Sequence, residues 1–209
     1  METTPIGAFM KRVIIVGANG TIGKFVTEFL EPHYEIIAAG RNSGDHRVDI
    51  TDPKSIKAFF EKVGPFDALV SVAGDVAFAP LAELNEDHWN TGFKSKFMGQ
   101  VNLVQIGKDY ISQGGSFTLT SGILSEAYIA AGTSATSINR ALEGFAQAAA
   151  TEIGKGIRIN VVSPGMLEAS AEAYGAFFPG HIGLPGCRVA QSYKRSVMGV
   201  ETGRVFKVS

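Results

Sequence analysis

Three glycines, Gly17, Gly20 and Gly23, recur at a spacing of three directly after the apolar run Val13 to Val16. Such a run reads as a fully buried strand. Lys24 to Leu30 then reads as an amphipathic helix, with Phe25, Val26, Phe29 and Leu30 on its apolar side. A strand, a glycine turn and a helix N-terminus together make an anion site. Free backbone N–H groups and the positive end of the helix dipole converge there, and the missing side chains let a pyrophosphate approach. Asn19, Thr21 and Ile22 complete this turn. The other residues whose types could do chemistry are spread out: a cation on a helix (Lys96), a hydroxyl at the end of a strand (Ser121), and two loop tyrosines, Tyr128 and Tyr174.

Positioning these groups requires a sheet, and the pattern supplies one. Strand-like and helix-like segments alternate along the chain, which predicts an α/β fold: a doubly wound parallel sheet of about seven strands with helices on both faces. After the first strand, strands are expected near Tyr34–Ala39, around Val48, and over Phe66–Ala73, Ser116–Ser121, Ile157–Ser163 and Thr202–Val208. Thr51-Asp52-Pro53 marks a helix start, with a capping side chain and then Pro in the first turn, and that helix runs to about Val63. Asn85 opens a long helix, with Glu86 and Asp87 near its positive end, expected to reach Ile111 and to be broken by Gly114-Gly115. A loop from Gly122 to Thr133 leads to a second long helix ending near Gly154. Met166 to Gly199 reads as an excursion with helical patches. The aromatic stripe Trp89, Phe93 and Phe97 reads as core or helix–helix contact.

Composition narrows the class. The 209 residues suffice for one domain with a sizeable core, expected over residues 10–209 after a frayed extension at 1–9, and Met10 is an alternative start. The chain has 19 basic and 20 acidic residues, so no nucleic-acid partner is expected. One cysteine, Cys187, excludes an internal disulfide and fits a reducing compartment. No apolar run reaches the ~20 residues of a membrane span, and the N-terminal charge order is wrong for a secretory signal. The expectation is a cytoplasmic protein without a membrane partner. The four histidines share no metal-ligand spacing, and no metal is expected.

The order of motifs resembles the short-chain dehydrogenase/reductase family over nearly the whole chain. Gly17-x-x-Gly20-x-x-Gly23 resembles its cofactor turn, in the spacing of the extended and atypical members. Asp49-Ile50 is similar to the pair that touches adenine. Ser71-Val72-Ala73-Gly74 stands where the family has Asn-Asn-Ala-Gly. Gly115 to Ser121 resembles the strand that delivers the catalytic serine, which Ser121 matches. Ile157 to Ser163 with Pro164-Gly165 resembles the sixth strand and its Pro-Gly turn. The resemblance implies a Rossmann-type domain binding a nicotinamide dinucleotide and a small-molecule substrate. Small residues on the second long helix, among them Ala141, Ala146 and Ala148, fit the family's usual interface and imply a homodimer or homotetramer.

The catalytic pattern departs from the family. Its chemistry rests on Tyr-x-x-x-Lys. Lowering a tyrosine pKa from ~10 to ~7 takes ~4 kcal/mol, and a lysine one helical turn away supplies that field. Counting back from Ala141-Leu142-Glu143-Gly144-Phe145 places Ala135 at the Tyr position and Asn139 at the Lys position, and the family's helix Asn is replaced by Lys96. Ser121 is retained. Lys96 could bind the ribose hydroxyls, orient an anionic substrate, act as an acid once desolvated, or lie on the surface beside Lys94. Tyr128 or Tyr174 could donate the proton.

Gly40-Arg41-Asn42-Ser43 follows the second strand, where members that prefer NAD carry a carboxylate. Arg41 offers a charged fork suited to a 2′-phosphate, with Asn42 and Ser43 as small donors and Asp45 as a later acid. NADP(H) is therefore expected over NAD(H). Two functions remain open: an NADP(H)-dependent carbonyl/alcohol oxidoreductase with an atypical active site, or a catalytically inactive NADP(H)-binding regulatory or structural protein.

Overall fold

The computed structural model describes residues 10–209, so the expected extension over 1–9 lies outside them. Seven strands form one sheet: β1 (Arg12–Val16), β2 (Glu35–Gly40), β3 (His46–Arg47), β4 (Phe66–Ser71), β5 (Ile111–Thr120), β6 (Arg158–Pro164) and β7 (Val205–Val208). Every pairing is parallel, in the order β3-β2-β1-β4-β5-β6-β7. The chain runs outward from β1 to β3 and returns to β4 on the other side of β1. That reversal opens a crevice at the carboxyl ends of β1 and β4.

The helices are α1 (Thr21–Leu30), α2 (Pro53–Val63), α3 (Glu86–Thr91), α4 (Gly99–Gly107), α5 (Thr133–Ala149), α6 (Ala171–Tyr174) and α7 (Gly186–Met198). Successive β1 side chains point to opposite faces and seed two cores. Ile14 and Val16 pack with Ile56 and Phe60 of α2, Leu103 of α4 and Leu142 of α5. Val13 and Ile15 pack with Val26 and Leu30 of α1 and with Val189 and Tyr193 of α7. Each fully buried side chain of this kind contributes ~1.5–3 kcal/mol, so the two layers hold the strand ends rigidly.

The Asp52 carboxylate accepts the Lys54 amide at 2.9 Å and starts α2 as expected. Asn85 and His88 cap α3 reciprocally, each side chain accepting the other's amide. The helix that follows differs from expectation. It is not one α-helix to Ile111: Gly92–Met98 is wound as a π-helix between α3 and α4, and α4 ends at Gly107. Ile111 already pairs with Phe66, so Gly114-Gly115 lies inside β5, where Gly114 has φ +73° beside a register shift. The second long helix stops at Ala149, short of Gly154. The excursion after β6 ends in a 13-residue helix, α7, whose Val189, Tyr193 and Val197 are buried against α1 and the sheet. The Trp89–Phe97 stripe is split, because Trp89 and Phe93 are exposed while Phe97 packs on the core.

Candidate functional site

Two cavities lie at the carboxyl ends of the strands. The first, of about 270 Å³, runs over β1, β2 and β4 and is lined by Gly17, Gly20, Gly40, Arg41, Asn42, Ser43, Ile50, Ala73, Gly74, Asp75 and Ser95, among others. Its floor is backbone. Gly17 has φ +93°, and its amide donates to Ala39 O at 2.8 Å. A Cβ on Gly23 would lie 2.1 Å from Gly17 O, so α1 can start this close to β1 only with glycine there. Gly20 caps α1 without a side chain, and the first turn holds no acid, so nothing neutralises the positive helix end. These features fit a dinucleotide, with the pyrophosphate at the mouth of α1 and the adenosine end toward β2.

Most of the expected cofactor residues converge on this cleft. Asn19, Thr21 and Ile22 lie at the turn and in the first turn of α1, and Gly23 is buried beneath it. The Asp49 carboxylate turns away, accepting the Thr51 amide at 2.9 Å and the Thr51 hydroxyl at 2.7 Å. Those hydrogen bonds hold its pKa below the usual carboxylate value. Asp49 also lies 3.6 Å from the Arg41 guanidinium. Asp45 is not on the cleft, because its carboxylate accepts the Ala38 amide at 3.1 Å. Pro164 and Gly165 belong to the second cavity.

The second cavity, of about 230 Å³, is largely apolar. Val76, Phe78, Leu124, Met166, Tyr174 and Phe178 form its walls, and Lys96, Gly122, Ala135 and Asn139 line it with Pro164-Gly165. Lys96 comes from the π-helix. Gly74 (φ +123°) packs beneath it, and a Cβ there would lie 2.7 Å from Lys96 Cα. Gln100, fully buried, fixes the bulge to β5: its amide donates to Lys96 O and Thr120 O at 3.0 Å and accepts from Thr120 N at 2.9 Å. The Lys96 ammonium donates to Ser121 O at 2.8 Å. Burial lowers its pKa to about 8, against the opposing pull of Asp75 and Glu143.

The other candidate catalytic residues are placed differently. Ser121 lies at the end of β5 but is 2% exposed, and its hydroxyl donates to Glu143 Oε1 at 2.8 Å rather than facing the cavity, which is lined at this point by Gly122. Tyr128 is 71% exposed and does not line the cavity, whereas Tyr174 does. Ala135 presents only a methyl group. Asn139 donates weakly to Gly122 O at 3.4 Å, and its Oδ1 is buried without a partner. Tyr193, bonded to Thr120 in the core, has its pKa pushed up by burial and lines neither cavity.

Gln100 and Glu143 were not singled out from the sequence. A carboxylate interrupting the apolar face Ile138, Leu142, Ala146 was the available signal for Glu143. Among the described residues no three His, Cys, Asp or Glu side chains group as metal ligands, and no helix is long and apolar enough to cross a membrane.

Residues 17–180 match a family model described as enoyl-(acyl carrier protein) reductase. The solved protein lin1944 from Listeria innocua is 45% identical, with a TM-score of 0.94, over 95% of this chain and 100% of that one. A small-chain dehydrogenase solved in complex with NADPH is 29% identical, with a TM-score of 0.85, over 96% of this chain and 97% of that one. An uncharacterized oxidoreductase of Methylorubrum extorquens is 27% identical over 111 residues, a match spanning 53% of this chain and 45% of that protein's length.

Proposed function

The chain belongs to the short-chain dehydrogenase/reductase family, and on that premise we propose that it is an NADP(H)-dependent oxidoreductase of a small carbonyl or alcohol substrate, with Lys96 handling the proton. The observation that carries this reading is the place of Lys96. Asp75 and Ser95 line the cofactor cleft, while their chain neighbours Val76 and Lys96 line the apolar cavity, so the lysine stands on the side of the apolar cavity nearest the cleft. A nicotinamide bound in the cleft supplies or accepts a hydride.

An ammonium has three donors and Lys96 spends one on Ser121 O, leaving two for a substrate oxygen. With a pKa near 8 the group is mostly charged at neutral pH and gives up its proton readily. The apolar walls favour a compact apolar or aromatic body around that oxygen. Ser170 and Tyr174 bring the hydroxyls on the cavity, while Tyr128 and Ser121, which do not line it, support the substrate oxygen less well than Lys96 does.

Arg41, Asn42 and Ser43 at the adenosine end favour NADP(H), because the nearest later acid, Asp45, is engaged by the backbone. The NADPH found in a 29% identical relative agrees with that preference. Ala141, Gly144 and Ala148 are exposed on α5 and support a homodimer or homotetramer. A cytoplasmic setting fits the free Cys187.

The second reading is a cofactor-binding protein without catalysis. It is favoured by the methyl group of Ala135 where a proton donor would stand and by the commitment of the Ser121 hydroxyl to Glu143. Incubation with deuterium-labelled NADPH and a panel of carbonyl compounds separates the two. Label in a product supports the enzyme; saturable NADPH binding with no transfer to any compound supports the second reading.

A further inference from the structure

Glu143 is the one charged side chain among the buried described residues, at 5% exposure. An ion in that position costs several kcal/mol unless it is paired and hydrogen-bonded. It stands on α5 one turn past Asn139, on the same helix face. Its Oε1 accepts the Ser121 hydroxyl at 2.8 Å, and its Oε2 lies 4.0 Å from the Arg140 guanidinium. The carbonyl of the same Ser121 accepts the Lys96 ammonium at 2.8 Å. Ser121 is thus clamped between a carboxylate behind it and a cation in front of it. Glu143 also borders a separate polar cavity of about 330 Å³ between α5 and β7, with Glu126, Arg140, Gln147, Arg204 and Lys207.

We propose that Glu143 is a positioning residue that acts through Ser121, holding the Lys96 ammonium charged and aimed into the apolar cavity. The inference rests on reading that cavity as the reaction site. The charged groups facing Lys96 are Asp75, from the segment after β4, and Glu143, from α5; Tyr174 is the other titratable group lining the cavity. Asp75 lines the cofactor cleft, so its influence changes with whatever fills that cleft. Glu143 lies behind Ser121, off the linings of both the cleft and the apolar cavity. A hydrogen bond serving only to tie β5 to α5 would not need a charge at this position.

The test follows the Lys96 ammonium directly in the full-length protein carrying 13C at lysine Cε. The Lys96 signal is assigned by its loss in Lys96→Arg and titrated by NMR. The native midpoint is expected near 8. Glu143→Gln keeps the volume and an acceptor for Ser121 but removes the charge. It should lower the midpoint by ~1 unit, about tenfold less ammonium at fixed pH. Glu143→Asp should return the midpoint toward the native value. Ser121→Ala removes the bridging hydroxyl and should also lower it, which keeps the test available where Glu143→Gln does not fold. Unchanged midpoints in folded Glu143→Gln and Ser121→Ala overturn the proposal. The titration needs neither substrate nor turnover, so its outcome is independent of whether label transfer from NADPH succeeds.

Discussion

Between β1 and β4 the floor of the cleft is backbone: the glycine turn, the strand end at Gly40 and the segment Ala73-Gly74. Beyond β5 the cavity is made of side chains, from Phe78 and Lys96 to Tyr174 and Phe178. The two regions sit on one sheet, and most of the glycines line the first while the apolar and aromatic side chains gather in the second. A backbone site is constrained by where atoms must be absent, so few residue types satisfy it. A side-chain site can be rebuilt by substitution while the strands stay in place. On the proposed function, the same scaffold would keep its cofactor geometry while its proton chemistry is exchanged.

The contrast can be broken most severely at Gly23. In Gly23→Val the first side-chain carbon would fall 2.1 Å from Gly17 O. Overpacking of this kind costs roughly 1–3 kcal/mol or more. Calorimetry should show loss of NADPH binding together with a lower Tm. Lys96→Met should act on the other side only. Hydride transfer is expected to fall by roughly 10²–10⁴-fold, the usual cost of losing a general acid, with the NADPH affinity retained.

The native pH profile sharpens the same point. Lys96 has its pKa lowered to about 8, so it carries its proton below that pH and loses it above. The carbonyl-reduction rate should therefore decline as pH rises through about 8. Absence of that limb in native enzyme would remove Lys96 as the acid. Arg41→Asp should weaken NADPH binding by ~1.5–3 kcal/mol, the value of a charge-assisted contact, and leave NADH binding unharmed. The smallest effect is expected for Tyr128→Phe, a change at a residue 71% exposed and off both cavities. Kinetics and Tm should match the native protein, since such surface changes stay within about 0.5 kcal/mol.

The same division governs what could be read before folding. The glycine turn was legible because steric exclusion maps onto one residue type, and the strand alternation was legible because burial imposes a period. Gly92–Met98 was not: Trp89, Phe93 and Phe97 keep a spacing of four that an ordinary helix would also show, and nothing in it marks the extra residue of a wider turn. The α7 helix was obscured by Gly183 and Pro185 ahead of it and by Gly186 at its first position. Ser121 was located correctly at the end of its strand, but the direction of a hydroxyl is set by its partner, and Glu143 comes 22 residues later. Lys96 was read as a candidate with four possible roles. Three-dimensional packing against Gly74 and Gln100 excludes the surface placement and leaves the other roles to experiment.

The widened helix turn has an evolutionary consequence. Leu103 and Val104 anchor α4 in the core, so the downstream helix is fixed. Deleting a single residue between Lys96 and Met98 would let the segment relax to the ordinary pitch. Each upstream side chain would then swing about 100° around the axis. The ammonium would face another direction although no residue with chemistry had been replaced. A one-residue change of length in this turn would thus redirect Lys96 with every other residue kept, and a comparison that scores only matching letters would overlook it.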